Sequence, residues 1–228
     1  MPNIPTAAGV FIPGFLNTCN STSPSGQGDA YGNFYPSGLT PGKVIELSPG
    51  EAQSVAAPGT TLYDGAYQFV LLDAGATGAN AVLGQPAYFR LDSGATVGAL
   101  PETLYANGSV TTYDQLTADT ALNLMAGVFI NPATLNGVTI GLTPGNYGFI
   151  FVGAGRAQCT VTSAAGTAVG DVVYPNGASA GFSTVTAASV TAAELAASIG
   201  FAANPATVSS GVVAYCRNLI YRISNQGV

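Results

Sequence analysis

Residues 149–158 read FIFVGAGRAQ, an apolar run that ends in Gly153-Ala154-Gly155. A strand that delivers a glycine-rich turn is how a dinucleotide-binding loop begins. The full fingerprint needs a third glycine, so that a following helix packs on the strand and meets the pyrophosphate with its N-terminus. Here the third position is Gln158. The residues after it, Ala157-Gln158-Cys159-Thr160-Val161-Thr162, alternate polar and apolar and include β-branched types, which is a strand pattern. The acid that should follow about 20 positions on is Asp171 at most, and Asp171 sits in its own turn setting, AVGDVVYPNGA. The stretch therefore predicts a β-hairpin, YGFIFV then GAGR then AQCTVT, that binds no nucleotide.

Other chemistry is equally thin. The chain has no histidine, which removes the usual Ser-His-Asp and Cys-His nucleophile systems. Asp114 with Asp119, or Asp64 with Asp73, would have to meet across a hairpin to form a glycosidase pair. Single acids in Gly/Thr-rich turns more commonly cap backbone donors, so no catalytic residue is expected. Calcium loops of the D-x-[DN]-x-[DN]-G kind are absent, and TLYDGAY and LLDAGATGAN offer few oxygen ligands. Cys19, Cys159 and Cys216 are spaced too widely for a zinc knuckle and read as small buried fillers. Neither a metal nor a cofactor is expected. The aromatic stretch YGNFYPSG (31–38) has rings that could stack on sugars, but packing on a neighbouring subunit is their commoner use.

Charge is the most informative quantity. Only 7% of the 228 residues are charged, against about 25% in an ordinary soluble domain. A dispersed monomer normally covers itself with both signs, whereas the cores of protein interfaces are depleted of charge. The composition thus predicts a surface largely hidden against other protein. The first 119 residues hold Lys43 and Arg90 against nine acids, net −7, and the remainder hold three arginines against Asp171 and Glu194, net +1. Five basic residues in all cannot form a phosphate-tracking stripe, so nucleic acid is not an expected partner. No apolar run approaches the ~18 residues of a membrane span. The start, MPNIPTAAGVFIPGFLNT, lacks a basic region and is broken by prolines, unlike a signal peptide or anchor. Synthesis and use from a cytoplasm, with no membrane partner, is the expectation.

The elements that would position these residues are mostly strands, in three parts. Residues 1–42 contain one charge, Asp29, and six prolines, which fit neither a long helix nor a central strand. The segment nonetheless carries Ile4, Val10, Phe11, Ile12, Phe15, Leu16, Tyr31, Phe34 and Tyr35, too apolar for a disordered tail. These nine residues are read as partner-binding, on an extended arm that becomes ordered against a neighbour. Residues 43–125 form a second, β-rich region: KVIEL, YQFVLLDAG and AYFRLD are separated by PGE, PGT, GATGAN and GQP turns, with a helical turn or two within 111–125. Residues 126–228 predict an antiparallel β-barrel or sandwich with one short helix. There Thr191 and Glu194 form a capping box, Leu195 and Ile199 share an inward face, and Gly200 ends the helix. AGVFINPATLNGVTIG (126–141) and SIGFAANPATVSSGVVAY (198–215) share an NPAT turn entering an apolar strand, read as two similar corners of one barrel. The fold class is mainly β.

The order GVFIN, LTPGNYGFIFVGAGRAQCTV, AVGDVVYPNGA, a short helix and IGFAANPATVSSGVVAYCRNLIYRI resembles the small β-barrels of tailed-bacteriophage capsid decoration (cement) proteins. The corresponding segments are Gly145–Ile150, Gly155–Ala157, Val169–Val173, Ile199–Ala202 and Val212–Ala214, all within the C-terminal region. The resemblance implies a structural virion protein on the capsid exterior, bound to major capsid protein and to copies of itself, often as trimers, that stabilises the head. The first 125 residues have no counterpart in it. Two rival readings fit the composition: a phage tail or neck structural protein, and a carbohydrate-binding surface adhesin.

Overall fold

Alternating apolar and β-branched runs become strands almost throughout, as their period of two predicts. The computed structural model describes residues 3–5, 11–13, 15–22, 42–72, 80–89, 109–111, 125–162, 166–176, 179–205 and 211–216. Strands β1 (Asn3–Pro5) and β2 (Phe11–Pro13) precede a 3-10 turn at Leu16–Thr18. Then come β3 (Val44–Leu47), helix α1 (Pro49–Val55), β4 (Gly65–Leu72), β5 (Pro86–Phe89), β6 (Ser109–Thr111) and β7 (Met125–Phe129). The remainder is β8 (Thr134–Leu135), β9 (Val138–Thr139), β10 (Tyr147–Phe151), β11 (Gly155–Thr160), β12 (Val172–Pro175) and β13 (Phe182–Val185). Helix α2 (Ala192–Ala197), β14 (Gly200–Ala202) and β15 (Gly211–Cys216) follow. The protein is mainly β, and among the described residues its strand pairs are antiparallel apart from the parallel pair β4–β6. The 111–125 helical turns were expected where residues 112–124 lie outside the described residues.

Two sheets carry the architecture. The first has the order β10-β7-β5-β6-β4-β3, with a further pairing of β10 to β4. Its central strand β4, GAYQFVLL, is buried on both faces, which its near-continuous apolar sequence suits. Tyr67 and Phe69 enter one hydrophobic cluster, while Ala66, Val70 and Leu72 enter another with Phe129 and Ile150. The second sheet has the order β11-β15-β14-β12-β13, and a single bridge between Val161 and Phe182 brings its edges together. Its inward residues, among them Cys159, Val173, Phe182 and Ile199, belong to the same cluster as Tyr67, Phe69, Phe149 and Phe151 of the first sheet. The two sheets thus share one core. The boundary drawn at 125/126 falls within the first sheet, because β7 pairs with β5 and β10. Of the segments on which the expected resemblance rested, Gly145–Ile150 leads into β10 of the first sheet, while the others lie in or beside the second.

The GAGR turn is not a hairpin. β10 pairs with β4 and β7, whereas β11 pairs with β15, so residues 152–154 carry the chain from one sheet to the other. The glycines allow a close crossing. Val152 and Gly153 both donate their N–H to the Ala66 carbonyl, at 2.9 and 3.1 Å. A Cβ on Gly153 would sit 2.8 Å from the Ala66 Cβ and 3.0 Å from its Cα, besides striking its nitrogen. Gly155 has φ +144, and a Cβ there would lie 2.6 Å from the Asp64 carbonyl oxygen. The motif lets β10 pass over the start of β4, which is close backbone approach for packing.

Three local expectations change. Helix α1 stands where a PGE turn was read. Its Ser48 and Glu51 form a capping box with proline in the first turn, a signal present in S-P-G-E. Helix α2 begins at the predicted box, with the Glu194 N–H donating to the Thr191 hydroxyl at 3.2 Å. It ends at Ala197, however, and Ser198 turns extended with ψ 142. Ile199 therefore leaves the helix and is fully buried, donating its N–H to the Val173 carbonyl, while Leu195 is 45% exposed. The pair does not share an inward face. The NPAT echo is structural but spans both sheets: Asn131 donates from Nδ2 to the Ile140 carbonyl, and Asn204 Oδ1 accepts from the Val213 N–H. Each asparagine ties its corner to the residue nine positions later.

Candidate interaction surface

The N-terminal region divides into unlike parts. Ile4, Phe11 and Ile12 lie in β1 and β2, a separate two-stranded sheet in which Ile4 pairs with Ile12. Val10, Tyr31, Phe34 and Tyr35 fall outside the described residues. Residues 15–22, by contrast, are built into the chain's own body. Leu16 and Cys19 are fully buried in the shared core, and Phe15 beside them is half-buried. Leu16 is therefore removed from the partner-binding set: its side chain is already enclosed. Polar side chains fix this segment in place. Asn17 donates to the Thr60 hydroxyl at 2.8 Å and accepts from the Ala57 N–H at 3.0 Å. Asn20 accepts from the Thr143 N–H and Asn146 Nδ2, and donates to the Gly141 carbonyl. Ser21 exchanges both backbone hydrogen bonds with Tyr147, extending the edge next to β10. The sequence hid this because the partners lie 40 to 126 positions away along the chain.

The residues singled out for chemistry are dispersed. Asp64 pairs with Arg156 at 3.4 Å, both side chains well exposed, and the Arg156 guanidinium lies 4.9 Å from the centre of the Tyr63 ring. An exposed pair of this kind contributes at most about 1 kcal/mol. Its place beside Gly155 marks it as a clasp across the crossover. Asp73, Asp114 and Asp119 fall outside the described residues. Asp171 caps its own turn, accepting from the Ala168 N–H at 2.8 Å. No group of three His, Cys, Asp or Glu side chains comes together among the described residues. All three cysteines are free and buried, and burial pushes the Cys159 thiol well up. Burial also raises the Tyr67 phenol, whose hydroxyl donates to the Tyr63 carbonyl. No described helix is long and apolar enough to cross a membrane.

What the second sheet does present is a pair of large apolar side chains exposed on its outer side, in register through Tyr215 with the exposed Arg156. Along β14, Gly200 and Ala202 are buried while Phe201 between them is 45% exposed. Phe201 stands opposite Val172 on β12, on the side away from Val173 and the core. Next to it, the Gly170 N–H donates to the Ala202 carbonyl at 2.9 Å, which holds the preceding Val169, 66% exposed, near the same strand. Helix α2 packs on β12 on this side: burial and the Glu194 carboxylate raise the Tyr174 phenol, and Leu195 projects from the same helix. Sequence reading missed this surface. The alternation of Gly200-Phe201-Ala202 was its only signal, and the side that faced water depended on the strand's partners. No family model and no curated protein matches the chain.

Proposed function

We propose that this chain is a structural virion protein that binds the outer surface of a tailed-phage capsid and stabilises the head. The observation that carries the reading is the scarcity of charge, 7% of residues, together with the large apolar side chains of Phe201 and Val169 left exposed on the second sheet. Charge depletion at the centre of a contact avoids the cost of desolvating ions. Large apolar side chains left in water favour association, at about 25 cal/mol per Å² covered. The resemblance of the C-terminal segments to decoration proteins points the same way. In this reading the major capsid protein and neighbouring copies of the chain, as trimers, cover Phe201 and Val169.

The test is binding of the purified protein to heads assembled from a tailed-phage major capsid protein taken from the same genome, followed by sedimentation and electron cryomicroscopy. Density repeating on the outer capsid lattice, lost on Phe201→Asp in a protein that still folds, is the expected result. Failure to co-sediment with heads refutes the reading. Density confined to the neck or tail replaces it with the tail assignment, and binding to glycans alone replaces it with the adhesin.

A further inference from the structure

The sequence contains three Asn-Gly steps, Asn107-Gly108, Asn136-Gly137 and Asn176-Gly177. An asparagine followed by glycine is the arrangement most open to self-modification. The glycine nitrogen carries no neighbouring side chain to obstruct it, so it can reach the asparagine side-chain carbonyl. Whether a given step reacts is then decided by how firmly the fold holds it. Asn107 lies outside the described residues, but the other two occupy opposite environments.

Asn136 and Gly137 form the two-residue turn between β8 and β9, with φ of 50 and 80. These are the left-handed values that Asn-Gly supplies to a tight hairpin. Asn136 is the one non-glycine residue with positive φ among the described residues. Residues 136–139 are all exposed, and a Cβ built on Gly137 would meet nothing within 4 Å. The Asn136 side chain makes no hydrogen bond among the described residues. Two strands of two residues each form their own sheet, and so short a hairpin opens readily. Asn176 is tied down instead. Its Nδ2 donates to the Thr162 hydroxyl at 3.1 Å, its N–H donates to the Gly181 carbonyl at 2.9 Å, and it is half-buried.

We infer that Asn136 is a spontaneous modification site, where the exposed β8–β9 turn converts to aspartate and isoaspartate while Asn176 is protected. The Gly137 backbone nitrogen attacks Asn136 Cγ, forming an N–Cγ bond and giving up its proton. The Cγ–Nδ2 bond breaks and ammonia leaves with that proton, giving a cyclic imide. Water then opens the ring at either carbonyl. One opening leaves an ordinary aspartate in place of the asparagine, adding a negative charge to a tip that has none. The other yields isoaspartate, which lengthens the main chain by one methylene and so breaks a turn that requires two residues in fixed register. The step is independent of what the chain binds.

The experiment incubates the folded, full-length protein at mildly alkaline pH and follows each Asn-Gly peptide by mass spectrometry. A parallel sample in denaturant gives the rates with the fold removed. In the folded protein Asn136 should lose its amide roughly tenfold faster than Asn176 or more, since freeing Asn176 costs at least one hydrogen bond. In denaturant the two rates should converge. An Asn136→Gln variant, which needs a less favourable larger ring, should keep its amide in both conditions. Equal rates in the folded protein, or Asn176 reacting first, overturn the inference. A difference that persists unchanged in denaturant also overturns it, because local sequence would then be the cause.

Discussion

Replacing Gly153 with alanine tests the account of the GAGR crossover, because it adds one methyl group where two backbones touch. The new Cβ would lie 2.8 Å from the Ala66 Cβ and 3.0 Å from its Cα. The nearest atoms are therefore those of a central strand, which cannot rotate aside as a flexible side chain can. Overpacking of this kind costs about 1–3 kcal/mol. Moving β10 away from β4 also weakens the two N–H donations to the Ala66 carbonyl, at about 0.5–1.5 kcal/mol for a net hydrogen bond lost. A destabilisation of about 2–4 kcal/mol is expected, read as a lower urea midpoint with unchanged slope. In a chain of this length each kcal/mol lowers the melting temperature by roughly 2–4 °C. Gly50→Ala is the matched control. A Cβ at Gly50 meets nothing within 4 Å, and the residue lies in α1, so alanine should be neutral or stabilise by up to about 1 kcal/mol. A Gly153→Ala protein within about 0.5 kcal/mol of wild type, the range of ordinary surface changes, would refute the close crossing.

Leu195 and Ile199 should separate cleanly in the same assay. Ile199→Ala removes a fully buried side chain and should cost about 2–5 kcal/mol, whereas Leu195→Ala, at 45% exposure, should stay within about 0.5 kcal/mol. Equal costs would place both on one buried face after all. The Glu194 carboxylate is held below its ordinary pKa of 4.5 by the Thr191 N–H first, then the Thr191 and Tyr174 hydroxyls. Lowering in the folded state means that its stabilisation is complete above 4.5 and is lost as pH falls through the lower folded value. Melting temperatures of wild type and Glu194→Gln, measured against pH, should therefore differ near neutrality and converge in acid. A constant offset across that range would show that the charge plays no part.

Composition and local pattern by themselves determined that the chain is mainly β, where most strands lie, and where α2 starts. These follow from short-range physics: the period of two, the turn chemistry of Gly, Pro and Asn, and a capping box closed within four residues. S-P-G-E carried the same local signal for α1, and a turn reading overlooked it. Tertiary structure decided how the strands associate. YGFIFV and AQCTVT are adjacent in sequence and read as partners, yet β10 pairs with β4 while β11 pairs with β15. Strand pairing is a long-range choice, settled by which faces bury together, and sequence adjacency only biases it. The same holds for Leu16, whose enclosure requires the core that both sheets share. It holds for Phe201 as well, exposed because Gly200 and Ala202 face inward between β12 and β15. Local pattern tells a strand that it has an inside and an outside; only the assembled sheets tell it which side is covered.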